Sequence, residues 1–167
     1  LKGKTKLVAG QWAEARGLFL EGLEHGGPEG EERSALLAAL LPVAEAHEGE
    51  RYSSELFESC RQKRCTVRDV IAFVRHLCKA GRFSEAREGM EWCSRSGGSY
   101  DNWLFVVLKG RICIRLGAYE EACCLFQDAV DMAAENRLEL LQPVSLLFQG
   151  EGFLASGRPR DVTESLE

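Results

Sequence analysis

The chain has 167 residues with 21 Lys and Arg against 26 Asp and Glu, a formal net charge of −5, and is 45% hydrophobic and 28% charged. That is the balance of a folded domain with a core of its own, neither disordered nor collagen-like. No run approaches the roughly 20 apolar residues of a membrane span, so no membrane partner is expected. Apolar periodicity predicts helix throughout, over approximately 2–9, 12–24, 32–46, 51–60, 66–79, 83–95, 100–115, 119–134, 138–155 and 159–167. Two glycine-rich breaks, at 25–30 and 95–99, read as loops. The chain opens on Leu1 and stops inside the last predicted helix, which reads as a piece of a longer polypeptide.

One phrase recurs along this helical pattern. It stands as Ala9-Gly10-Gln11-Trp12-Ala13-Glu14-Ala15, as Ala80-Gly81-Arg82-Phe83-Ser84-Glu85-Ala86 and as Leu116-Gly117-Ala118-Tyr119-Glu120-Glu121-Ala122. A degenerate copy lies at Glu48-Gly49-Glu50-Arg51-Tyr52, and a further glycine at Gly157. The glycines at 10, 49, 81, 117 and 157 are 39, 32, 36 and 40 residues apart, the period of a stacked helical hairpin. Each glycine follows an apolar-periodic run and takes the place just past a helix end, where a left-handed backbone is needed. The aromatic two residues later is expected to begin the next helix and pack back across the turn. The small Ala15, Ala86 and Ala122 then let the two helices approach. Gly3, Gly110 and Gly150, each seven residues before a turn glycine, are expected to do the same from the first helix.

This pattern resembles the tetratricopeptide (TPR) repeat, most fully at Gly110, Gly117, Tyr119, Ala122, Phe126 and Ala129. The resemblance covers most of the chain as five repeats. The second is poor, with Ser54 and Glu55 where Ala is expected and Pro42 interrupting the preceding helix, and the fifth lacks most of its second helix. It implies an all-α fold, a right-handed solenoid of antiparallel helical hairpins forming a single domain over 1–167. The first helix of each hairpin would line a concave face suited to a peptide or a partner helix. On the TPR pattern that face carries Arg68, Ile71, Arg75, Cys78 and Lys79, then Leu104, Val107, Arg111, Ile114 and Arg115, then Val144, Leu147, Glu151 and Leu154. Arg75 with Lys79, and Arg111 with Arg115, are one helical turn apart and share a face. With Ile71 and Val107 they are the expected partner-binding residues, a basic and apolar groove suited to an acidic, amphipathic protein segment. The charge map agrees: Glu21–Glu58 holds ten acids and two bases, a net of −8, and Arg61–Arg82 seven bases and one acid, a net of +6. The bland account is that helix surfaces are charged in any case. An incomplete last repeat would also leave an apolar face exposed, through which copies could self-associate.

Other classes fit less well. Chaperone-clamping TPR domains hold a C-terminal carboxylate with a Lys and an Asn where this chain has Ile71 and Arg75. The stretch from Arg75 to Ala86 also resembles the RNA-reading pentatricopeptide repeat, the alternative reading. Its base-reading places hold Ile71, Val107 and Leu147, none able to bond a base edge, and the net charge opposes a phosphate-tracking surface. Gly3-Lys4-Thr5 resembles the end of a phosphate-binding loop but lacks its strand. The seven cysteines make no disulfide-scaffold or paired zinc-knuckle spacing; Cys60, Cys65, His76 and Cys78 fall within 19 residues at irregular intervals. They read as core thiols of a reducing compartment, cytoplasm or nucleus. No catalytic, metal or cofactor site is expected. If the array serves as a scaffold instead, Trp92, Tyr100 and Trp103 are candidate contact aromatics, with inter-helix packing the favoured account.

Overall fold

The computed structural model describes residues 2–25, 31–44, 46–62, 65–91 and 98–157. Among these residues every regular element is helical: α1 (Lys2–Val8), α2 (Trp12–His25), α3 (Glu31–Leu40), α4 (Ala46–Arg61), α5 (Val67–Lys79), α6 (Phe83–Glu91), α7 (Ser99–Arg115), α8 (Tyr119–Glu135) and α9 (Gln142–Ala155), the last preceded by a 3-10 turn at Glu139–Leu141. The protein is therefore all-α. The helix expected over 159–167, together with Trp92 and Cys93, lies outside the described residues. The chain divides into two compact units, Leu1–Ser94 and Arg95–Glu167.

The recurrent phrase builds the same turn three times. Gly10, Gly81 and Gly117 have φ of 74°, 74° and 78°, a left-handed backbone that costs a residue with a Cβ about 1–2 kcal/mol. Around each, the amide of the next residue donates back to the carbonyl five positions earlier: Gln11 to Lys6, Arg82 to Leu77 and Ala118 to Cys113, each at 2.9 Å. The glycine amide itself donates to the carbonyl three back, at 3.1–3.2 Å. Both bonds satisfy carbonyls that the helix end would leave open, and together they turn the chain back on itself. Each turn is three residues long, and α1 packs on α2, α5 on α6 and α7 on α8. Gly157 likewise follows the end of α9, with φ of 74° and its amide donating to the Leu154 carbonyl at 3.2 Å. The aromatic after the turn begins the next helix as expected, at Trp12, Phe83 and Tyr119, but Trp12 and Tyr119 remain 56% and 40% exposed.

The small residues act as anticipated. Ala15, Ala86 and Ala122 are fully buried. A Cβ on Gly3 would lie 2.5 Å from Phe19, and one on Gly110 2.6 Å from Phe126, so an aromatic of the second helix seats on bare backbone of the first. In the α5–α6 hairpin the arrangement is reversed and shifted by one residue: Phe73 of the first helix seats on Gly89 of the second, where a Cβ would come within 2.7 Å. Gly17, in the middle of α2, is different, because nothing lies within 4 Å of its Cβ position. Gly17→Ala is therefore expected to stabilise the protein by about 0.5–1 kcal/mol through helix propensity alone; a lower denaturation midpoint would show a contact that the geometry lacks.

The second repeat departs from the expectation. Gly49 is not a turn glycine; it is buried inside α4, which starts at Ala46. The break comes earlier, where α3 stops at Leu40 and Val43 donates to Leu40 in a tight turn at 2.9 Å. Pro42 decides this. A proline inside a helix costs about 3 kcal/mol, and a glycine only about 1 kcal/mol, so the chain breaks at the proline and tolerates the glycine.

Within the N-terminal unit, α3 packs on α2, α4 and α5, and α4 also on α5 and α6. Phe19, Leu37, Leu40, Tyr52, Leu56, Phe73 and Leu77 are its large buried side chains. Helix α5 starts with a reciprocal cap: Thr66 Oγ1 accepts from the Asp69 amide while the Asp69 carboxylate accepts from the Thr66 amide and hydroxyl at 2.9 and 2.8 Å. In the C-terminal unit Phe126 sits at the centre, between Gly110 of α7 and Gly152 of α9, its ring stacked on Phe148 at 5.8 Å.

Candidate functional site

Of the six expected partner-binding residues, two belong to the core. Ile71 is 6% exposed and Val107 2%. Helix α5 is packed by α3, α4 and α6, and seven of its thirteen residues are buried, Ile71 among them. Val107 joins the cluster around Phe126, with Val144 and Phe148 of α9 laid against that cluster. Neither side chain offers a surface to a partner. The surface part of the set is its cations: Arg75, Lys79, Arg111 and Arg115 are all exposed. Arg75 and Lys79 stand one turn apart on α5 of the N-terminal unit, and Arg111 and Arg115 one turn apart on α7 of the C-terminal unit.

Their surroundings differ. Arg75 makes no hydrogen bond or ion pair among the described residues. The Arg111 guanidinium lies 5.7 Å from the centroid of the Phe148 ring, a cation–π contact that holds the charge at the α7–α9 edge. Like charges at this helical spacing cost about 0.2–0.5 kcal/mol per pair.

Part of the acidic block is committed inside the N-terminal unit. Three carboxylates of α4 bind arginines from elsewhere: Glu48 with Arg16 of α2 at 2.5 Å, Glu55 with Arg33 of α3 at 2.7 Å, and Glu50 with Arg82 of the α5–α6 turn at 2.5 Å. Partly exposed pairs of this kind contribute about 0–1 kcal/mol each, so their effect is mainly to fix how α4 is set. Arg82 also binds Glu85 at 2.5 Å, and that hydrogen bond holds the Glu85 carboxyl below its usual range. Sequence reading missed this clamp because its partners are 22 and 32 residues apart.

His76 sits beside the clamp. The absent side chain of Gly49 makes room for its ring: a Cβ there would lie 3.1 Å from Cε1. Its Nε2 is buried with no hydrogen-bond partner. Burial holds the imidazole below its ordinary value; Glu50 opposes this, while Arg82 and Lys79 add to it. The folded state therefore prefers neutral His76, and the unfolded chain binds the proton first as pH falls below about 6.5. Stability contributed by the neutral ring is present above that pH and lost below it. The melting temperature is expected to fall between pH 7.5 and 5.5, less steeply in His76→Gln; equal slopes in the two proteins would remove His76 from this role.

The described cysteines divide by burial: Cys60, Cys113 and Cys123 are buried, Cys65 and Cys78 half-buried, and Cys124 exposed. Among the described residues no three His, Cys, Asp or Glu side chains are grouped to hold a metal. Gly3-Lys4-Thr5 lies within α1, where Gly3 seats Phe19 rather than a phosphate. Trp103 is buried, its indole N–H donating to Ser145 Oγ of α9 at 2.8 Å, and Tyr100 is 52% exposed beside it. No described helix is long and apolar enough to cross a membrane. No protein-family model, curated protein or solved structure matches the chain. What it does rests on its own geometry.

Proposed function

We propose that the chain is a non-catalytic protein-interaction module, a scaffold of TPR-like hairpins whose first helices meet an acidic segment of a partner protein. The observation that carries this reading is the exposure of paired cations on two first helices, Arg75 and Lys79 on α5 and Arg111 and Arg115 on α7. The turn geometry shared by three hairpins supports the repeat architecture, and its stacking into a right-handed solenoid belongs to the same proposal. A partner carboxylate would gain charge-assisted hydrogen bonds from these exposed cations. The reading places the protein in a reducing compartment, in keeping with cysteines buried in its cores.

The test is affinity capture with the 167-residue chain and two variants, Arg75→Glu/Lys79→Glu and Arg111→Glu/Arg115→Glu, with mass spectrometry of what is retained. A protein retained by the parent and lost with either variant, while circular dichroism stays helical, supports the module and says which pair binds. Identical retention by all three removes the basic residues from the interface. Recovery of RNA instead would overturn the reading in favour of the nucleic-acid alternative.

A further inference from the structure

Helix α9 turns one apolar edge to water. Leu147 and Leu154, seven residues apart, are 65% and 62% exposed, and Leu140 in the preceding 3-10 turn is 89% exposed. Val144, half-buried, and Glu151, exposed, fall between them, so that 144, 147, 151 and 154 follow steps of three, four and three. Those are the steps of a helix-pairing seam. Val144 leans on the Phe126 cluster, but among the described residues Leu147 and Leu154 take no part in that core. Another face of α9, with Ser145, Gln149, Gly150 and Gly152, is the buried one. Scattered exposed leucines are ordinary, but leucines aligned along one helix edge mark a contact surface.

The charges beside the edge limit what can cover it. Arg111, held over Phe148, places a cation on the α7 side with no carboxylate paired to it among the described residues. Glu151 stands within the edge itself and has no ion-pair partner among the described residues. From this arrangement we propose that the α9 edge docks an amphipathic helix of another protein, with a leucine-type seam, acidic residues facing α7 and one basic residue level with Glu151. The proposal rests on the reading of the chain as an interaction module and names the partner's form.

A helix matches better than an extended strand. Leu147 and Leu154 are two turns apart, about 10.5 Å along α9, which a helix meets with its own residues seven apart. An extended chain presents one face about every 6.8 Å and falls out of step. A second copy of this chain fits worse. Antiparallel α9 edges would set Glu151 against Leu147 of the other copy, burying an unpaired carboxylate, and parallel edges would set Glu151 against Glu151.

The proposal is tested by fluorescence anisotropy of the 167-residue chain with two labelled synthetic helices of roughly three heptads. One carries a leucine seam, a central Lys and Glu flanks; the other keeps the seam, with a central Glu and Lys flanks. The expected result is binding of the Glu-flanked helix about tenfold or more tighter than its counterpart. Leu147→Ser/Leu154→Ser should abolish that binding, and Arg111→Glu should narrow or reverse the preference. Equal binding of the two helices, or no effect of the leucine changes, overturns the proposal. So does a concentration-dependent dimer in sedimentation that Leu147→Ser/Leu154→Ser dissolves, because a second copy would then be the occupant. Both leucines are exposed, so circular dichroism of the variant should match the parent. If capture through Arg75 and Lys79 succeeds while neither peptide binds, only the helix-docking proposal falls; if both fail, the interaction module falls as well.

Discussion

Phe126→Ala is expected to cost the C-terminal unit about 3–5 kcal/mol, the range for removing a fully buried aromatic and leaving a cavity. The ring is inaccessible to solvent, set between backbone at Gly110 and Gly152 and stacked on Phe148. Collapse cannot fill the space cheaply, because two of its walls are helix backbone. A unit of this size holds roughly 4–10 kcal/mol in total, so the substitution removes much of its stability. Hydrogen exchange of the α7, α8 and α9 amides reads the effect directly: protection there should fall by more than about a hundredfold. Unchanged protection would show that Phe126 is not the centre of that core.

Gly110→Ala sets two effects of opposite sign against each other. Helix propensity favours the alanine by about 1 kcal/mol. The added Cβ, however, would lie 2.6, 2.9 and 3.0 Å from three atoms of the Phe126 ring. The ring has no retreat, because Gly152 and Phe148 stand close by it, and overpacking of this kind costs about 1–3 kcal/mol. With contacts this close the steric term wins, and a net loss of up to about 2 kcal/mol is expected in urea denaturation. Adding Phe126→Leu should restore part of it, giving a coupling that the two single changes do not predict by addition. A raised midpoint in Gly110→Ala would mean that the helices are not in contact at this level.

The contrast between what could and could not be read from the chain has a physical basis. Gly10, Gly81 and Gly117 were legible because a left-handed turn leaves a local mark: an apolar run ends and a residue without a Cβ follows. Gly49 carried the same mark and stands inside a helix, because Pro42 had already broken the chain. All-helical structure followed from periodicity, a local property. Ile71 and Val107 occupy the expected positions on their helices, yet their burial depends on which neighbours lie over α5 and α7. Spacing along one helix does not reveal that. The α4 carboxylates read as part of an acidic surface, whereas Arg16, Arg33 and Arg82 reach them from elements far away in sequence. Exposure of the four cations, by contrast, agreed with their one-turn spacing.

The reversed seating of Phe73 on Gly89 bears on how a chain of look-alike hairpins finds its proper partners. At the places that match Gly110 and Phe126, the α5–α6 hairpin has Val74 and Met90, both buried. If α5 met α8 during folding, Val74 would confront a phenylalanine that requires bare backbone. If α7 met α6, Gly110 would face Met90, and the space filled by the ring would be left partly empty. Each first helix thus rejects the other's second helix, in one case by crowding and in the other by a void. Neighbouring repeats with near-identical turns are prone to exchanging strands of structure with one another or between molecules. Here the guard against that exchange is which helix of the pair carries the glycine and which the aromatic.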